Sequence, residues 1–285
     1  MKKIVVIICC VFLTAESVAQ NGWTRKKNTY FIKTAIDLFS SNNYINPGGE
    51  KLETNMFRQQ ALTLYGEYGI SDRLTTIIHF PLLKLNSFEN TNTVAGVGDL
   101  KIEFKYALLT KNFPLTFSVA PEFPTGSRDN FAQSKENTFD QINLPTGDGE
   151  FNVWSTLAVS HSFHPIPTYV SFSSQYNYRT TYNNFSFRDQ VKFNMEVGYK
   201  ILKKVWLNAT VSAQTSVGKE AGFTDFIRGE GTEFTAVGFG AAYEFMTHWS
   251  LSLQSWGYAD FVFDRKNLYS APSFSLGVFY NIESL

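Results

Sequence analysis

The stretch from Leu100 to Leu108 restricts most tightly what this chain can become. Leu100, Ile102, Phe104, Tyr106 and Leu108 fall on one side of an alternation, and Lys101, Glu103, Lys105 and Ala107 on the other. A helix would spread these apolar side chains around its circumference, whereas a period of two gathers them on one face. Any half-buried sheet can hold one such strand. Here the pattern recurs along the chain and stands behind an export signal. Together they imply an all-β fold, a transmembrane antiparallel up-and-down β-barrel with an apolar outside and a polar inside.

The export signal is read from its three parts. Lys2 and Lys3 give a positive start, residues 4–13 an apolar run, and Ser17-Val18-Ala19 a cleavage site. Residues 1–19 are therefore expected to be removed, leaving residues 20–285 as one barrel domain. The apolar run is too short for a spanning helix, and no later window reaches the roughly 18 apolar residues one needs. Cys9 and Cys10 lie in the middle of that run, before Val11, Phe12 and Leu13, which does not suit a lipid-anchored first residue. A mature chain without cysteine has neither a disulfide framework nor a thiol site. With 25 basic and 25 acidic residues, no excess charge points to nucleic acid.

Twelve alternating segments are expected: 30–39, 57–70, 74–85, 100–108, 115–123, 151–163, 169–179, 191–201, 205–215, 234–245, 250–259 and 273–282. An even count brings both termini to one end of a barrel. Short turns and long polar loops alternate strictly between the segments, which a soluble two-sheet sandwich has no reason to do. Tyr68, Tyr106, Phe163, Tyr169, Tyr199, Tyr243 and Trp249 collect near the short turns, where an interfacial girdle belongs. The lead of residues 20–28 reads as too short to plug the barrel.

The polar face carries the candidate lumen residues. They are Lys33, Lys101, Lys105, Arg179 and Lys192 against Asp37, Glu67, Glu103, Glu122, Glu196 and Glu244, five charges facing six. Near balance implies no strong ion selectivity. Glu103 and Glu122 are expected to pair with Lys101, Lys105 and Lys192, so that ion pairs partly fill the interior. Twelve strands stand between the roughly eight that side chains fill and the 16–18 that leave an open channel. The longest loop, 124–150, is the expected gate, with Pro124, Thr125, Gly126, Pro145, Gly147 and Asp148 as its candidate residues. Pro81 and Pro121 each remove a ladder donor and mark places where the wall could part.

Catalysis and metal binding find little support. A barrel-wall hydrolase would hold its base and nucleophile on one face. His161 and Ser162 are adjacent and so face opposite ways, while His164 and His248 fall in expected turns. No His, Asp or Glu spacing resembles a zinc or calcium site. No cofactor is expected.

Three segments come in a recognisable order: Tyr68-Gly69-Ile70-Ser71-Asp72-Arg73-Leu74, then Gly96-Val97-Gly98-Asp99-Leu100 with Lys105-Tyr106, then Phe123-Pro124-Thr125-Gly126. Pro145-Thr146-Gly147-Asp148-Gly149 adds a second Gly-Asp-Gly element. Over about the middle half of the chain this resembles the outer-membrane family labelled "meta-pathway of phenol degradation" proteins, often described as transporters. The resemblance implies a barrel in the outer membrane and the passage of small hydrophobic or aromatic molecules. Outer-membrane lipid and the barrel-assembly machinery are the expected partners. Two readings follow: a passive channel for small solutes, or a non-conducting barrel that binds a ligand or partner.

Overall fold

A computed structural model describes residues 21–137, 139–181, 186–218 and 229–282. The expected signal lies outside the described residues, as do the Asn183-Asn184 loop and most of the loop expected over 216–231.

Twelve long strands form the wall: β1 (Tyr30–Ile45), β2 (Lys51–Ser71), β3 (Leu74–Phe88), β4 (Leu100–Leu109), β5 (Leu115–Phe123), β6 (Asn152–Ser162), β7 (Thr168–Arg179), β8 (Asp189–Leu202), β9 (Val205–Val217), β10 (Phe234–Met246), β11 (Trp249–Ala259) and β12 (Ser273–Ile282). Each pairs antiparallel with the next, and β12 returns to β1 in register from Tyr30↔Ile282 to Phe39↔Ser273. The sheet therefore closes without an edge. Short strands at Val94–Gly96 and Leu268–Tyr269 extend it, and Phe131–Gln133 pairs with Gln141–Asn143 as a hairpin in the longest loop.

The period of two explains why the wall is two-faced. On β4, Phe104, Tyr106 and Leu108 are exposed on the outside while Glu103 and Lys105 are buried inside. The same holds on β12, where Phe274, Leu276 and Val278 face out and Ser273 and Ser275 face in. In water such an apolar belt would be unfavourable; in hydrocarbon it is the requirement for spanning.

Two departures from the expected strands have physical causes. The loop expected over residues 40–55 is mostly strand, since β1 and β2 continue to a tight turn where Asn46 Oδ1 accepts Glu50 N–H at 2.9 Å and Gly49 takes φ +88°. β2 has 21 residues, well beyond the roughly 9–11 that cross hydrocarbon. Its far end carries exposed Lys51, Glu53 and Arg58, and a ribbon with water on both sides has no reason to alternate. In β3 the adjacent Leu82 and Leu83 are both exposed because the register slips: Leu62 pairs with Leu83 but Thr63 with Pro81. Leu82 is the extra residue of a bulge.

The wall does not part at Pro81. Gly98 N–H donates to the Pro81 carbonyl at 2.8 Å, and the proline ring fills the space that a Cβ on Gly98 would need. Pro121 stays in the ladder opposite Val153, on β6.

Candidate functional site

The short-turn end is crossed by the residues before β1. Asn28 N–H donates to the Gly69 carbonyl on the β2 side at 2.8 Å. At the other end of this segment, Gly22 N–H donates to Ser160 Oγ on β6 at 2.7 Å, and Thr116 Oγ1 donates to the Asn21 carbonyl. Residues 21–29 thus form a strap from β1 and β2 to β5 and β6, across the mouth of the barrel. Arg25 anchors its middle. Its guanidinium bonds Glu67 at 2.7 Å and Asn281 Oδ1 at 2.9 Å, and its backbone N–H donates to Thr75 Oγ1. The expectation that this lead is too short to obstruct the barrel is corrected: nine extended residues can span roughly 30 Å.

Above the strap lies a lumenal cavity of about 320 Å³. Lys33, Asp37, Glu67 and Glu196 of the expected lumen set line it, together with Arg25. Lys33 Nζ donates to Gln254 Oε1 at 3.2 Å, and Thr63 Oγ1 donates to Asp37 at 2.7 Å. Aromatic rings make up much of the remaining wall: Phe31, Tyr65, Tyr169, Trp206 and Phe279. Tyr169 is a correction to the expected girdle. Its ring points inward, packs edge-on against Trp23 with centroids 5.7 Å apart, and donates its hydroxyl to Glu196 at 2.6 Å. Gly198 on the neighbouring strand makes room, because a Cβ there would run into the tyrosine ring. The other six aromatics of that set are exposed on the outside.

The interior is lopsided. Along β4 to β7 the inward residues Glu103, Lys105, Ser118, Ala158, Ser173 and Gln175 are all buried, so side chains fill that half. Opposite them, inward residues of β1, β2 and β8 to β12 border the cavity. The ion pairs expected for Glu122 do not form. Glu122 accepts the Trp154 indole N–H at 2.7 Å, and the Lys101 ammonium lies 5.4 Å over the same ring. Lys192 and Glu244 sit at inward positions of β8 and β10, half-buried.

At the long-loop end the segments around Gly98-Asp99, Thr125-Gly126 and Pro145 to Asp148 are bound to one another. Asp99 accepts Gly126 N–H at 2.9 Å on one oxygen and Asp148 N–H at 2.7 Å on the other. Thr125 Oγ1 donates to the Gly98 carbonyl and accepts Leu100 N–H. Gly126 and Gly147 meet backbone to backbone, and a Cβ on Gly126 would lie 2.6 Å from Gly147 Cα. The Pro145 carbonyl accepts Asn86 Nδ2–H from β3 at 2.9 Å, which ties the loop to the interior. Beside Pro145, Leu144 joins Phe57, Phe88, Val94, Ala132 and Tyr269 in a buried apolar cluster.

Among the described residues an ion-pair group at the strand ends is almost completely buried. Arg179 bonds Glu150 through two nitrogens at 2.9 Å each, lies 3.7 Å from Glu230, and stacks 4.8 Å over Phe187. Arg188 holds Glu230 from the other side at 3.0 Å. Of this group only Arg179 belongs to the expected lumen set; Glu150, Arg188 and Glu230 lie at or beyond strand ends, where alternation gives no signal. Burial raises the Asp148 carboxyl to about 7, with Arg179 opposing and Glu150, Glu122 and Asp99 adding to the rise. A raised carboxyl favours the closed loop in acid, and that contribution is lost as pH climbs through about 7. Protease nicking of the loop should therefore accelerate as pH rises from about 4 to about 7 and level off above, and Asp148→Asn should flatten the profile.

Catalytic groupings do not assemble. The His161 ring stacks on Phe113 on the outer face, 4.6 Å between centroids. His248 lies in a turn with Nδ1 2.9 Å from the Asn281 carbonyl, while Ser250, two residues on, is buried on the inner face. Among the described residues no group of three His, Cys, Asp or Glu is placed to hold a metal ion.

A closed twelve-stranded antiparallel barrel with an apolar outside, a polar inside and both ends of the described residues, 21 and 282, at the short-turn end is of the outer-membrane kind. No family model matches the chain, and no curated protein matches it. Solved structures do. The COG4313 outer membrane channel from Pseudomonas putida F1 superposes with a TM-score of 0.67 at 15% identity, covering 94% of this chain and 100% of that one. The translocator domain of the autotransporter NalP from Neisseria meningitidis gives 0.55 at 11%, covering 92% and 91%. The NanC porin gives 0.53 at 12%, covering 89% and 100%. At such identities the likeness is one of fold.

Proposed function

We propose that the protein is a passive outer-membrane channel for small solutes, exported by its signal and narrowed at both ends by its own chain. The observation that carries this reading is the cavity of about 320 Å³ inside a closed barrel, lying above the strap of residues 21–29 with the 124–150 loop at the far end of the lumen. The strap faces the periplasm and the long loops face the outside. The expected lumen charges then serve as lining, and Pro124, Thr125, Gly126, Pro145, Gly147 and Asp148 as parts of the outer closure. Hydrophobic or aromatic solutes suit the rings of Phe31, Tyr65, Trp206 and Phe279. The resemblance to the phenol-degradation family supports the same direction, and the likeness to the Pseudomonas putida outer membrane channel supports the channel reading alone.

Planar-bilayer recording of the refolded mature chain is the test. Small discrete steps are expected, growing when residues 129–143 are deleted. Unchanged steps would remove the loop as a gate. Silence in both proteins, with a heat-modifiable barrel on a gel, would favour the second reading, a non-conducting binding barrel. The crowded interior along β4 to β7 is the feature that speaks for that alternative.

A further inference from the structure

The lumenal cavity contains a carboxylate that the protein holds ready but does not neutralise. Glu196 on β8 accepts three hydrogen bonds, all from neutral donors. Tyr169 Oη donates to one oxygen at 2.6 Å; Asn208 Nδ2 and Thr210 Oγ1 donate to the other at 3.0 and 3.1 Å. Among the described residues no cation lies within ion-pair distance of it. The other acids of the cavity are engaged differently. Glu67 takes the Arg25 guanidinium, and Asp37 lies on the same face of β1 as Lys33. A carboxylate has about four acceptor sites, so Glu196 keeps one free and fixed in direction.

Aromatic rings share the cavity wall with that carboxylate. The Tyr169 ring lies 5.8 Å from the Trp206 ring, and both border the cavity. Trp206 already attracts an ammonium, since Lys200 Nζ stands 5.5 Å from its centroid. Rings beside an unneutralised acid favour a cation with an apolar body through both charge and ring quadrupole. The two cations that border the cavity stand beside its other acids: Arg25 Nε bonds Glu67 while its Nη1 serves Asn281 and the Ile282 carbonyl, and Lys33 shares a face of β1 with Asp37. The volume suits a small molecule, lying at the low end of ordinary ligand pockets.

We propose that this cavity is a binding site for a small organic ammonium ion carrying an aromatic or apolar body, with Glu196 as its counter-ion and Trp206 and Tyr169 as its aromatic wall. Resting on the channel reading, it names the class of solute that dwells in the lumen. Lys200 competes for the indole from the strap side, so its removal strengthens the site.

Binding of benzylammonium, benzyl alcohol and benzoate to the folded, detergent-solubilised mature chain tests this by calorimetry. Benzylammonium should bind roughly tenfold or more tightly than either analogue. Glu196→Gln should abolish that preference, Trp206→Leu should weaken all ring-bearing ligands, and Lys200→Met should tighten benzylammonium. If Glu196→Gln fails to fold, the Lys200→Met shift decides. Equal binding of the three ligands, or an ammonium preference untouched by Glu196→Gln and Lys200→Met, would overturn the site. A silent barrel that still prefers benzylammonium sinks the channel alone. A conducting barrel without the preference sinks this site alone.

Discussion

A mature chain lacking residues 21–27 should conduct in steps several times larger than those of the intact protein. The strap crosses the short-turn mouth and is tied on both banks, at Gly69 and at Ser160. None of its bonds belongs to the wall ladder, so its loss leaves twelve strands paired. It does remove Arg25 from Glu67, which leaves a half-buried carboxylate facing newly admitted water rather than protein. The barrel should therefore still fold, at a cost of about 1–3 kcal/mol from the lost charge-assisted bonds. Arg25→Gln is the milder form: the strap loosens at its middle, and the recorded steps should flicker between two sizes. Bilayer recording checks both. Steps identical to those of the intact chain would mean that the strap lies outside the conducting path.

Arg179→Met should cost about 3–5 kcal/mol, because breaking a buried ion pair strands a charge that protein must still hold. The Arg179, Glu150 and Glu230 side chains are all within 2% of complete burial, and the guanidinium serves both acids. Arg188 still reaches Glu230, so Glu150 bears most of the loss. Glu150 ends the 124–150 loop, and its release should free the loop as well as lower stability. Urea unfolding of the refolded protein measures the first, and protease sensitivity of the loop the second. Arg179→Lys should fall between, since an ammonium keeps the charge but not the two-pronged geometry. A loss under about 1 kcal/mol for Arg179→Met would show that water compensates the acids.

The alternation of side chains made the wall legible, because hydrocarbon on one face and protein on the other leaves a periodic record. It placed Lys33, Asp37, Glu67, Glu103 and Lys105 inside from sequence alone. It also contained the correct reading of Tyr169, which shares its parity with the inward Gln175 and Asn177; proximity to a short turn argued wrongly for the girdle. Where the chain leaves the bilayer the record stops. Residues 40–45 are strand but read as loop, since both of their faces meet water or protein alike. The strap has no periodicity at all, and its partners stand far away, Ser160 being 138 residues from Gly22 and Asn281 256 from Arg25. The Arg179 cluster was hidden for the same reason. The motif at Gly96 to Asp99 was visible as turn chemistry, but only the folded loop shows Asp99 holding Gly126 and Asp148 together.

The absence of cysteine outside the expected signal allows a direct test of the lumenal path. Ala242 borders the cavity opposite Trp206, so Ala242→Cys places one thiol inside the conduit. A charged, membrane-impermeant thiol reagent should reduce the current through this variant. It should react slowly from the strap side of the intact protein and quickly once residues 21–27 are gone. A current that ignores a fully modified thiol would contradict conduction through this lumen.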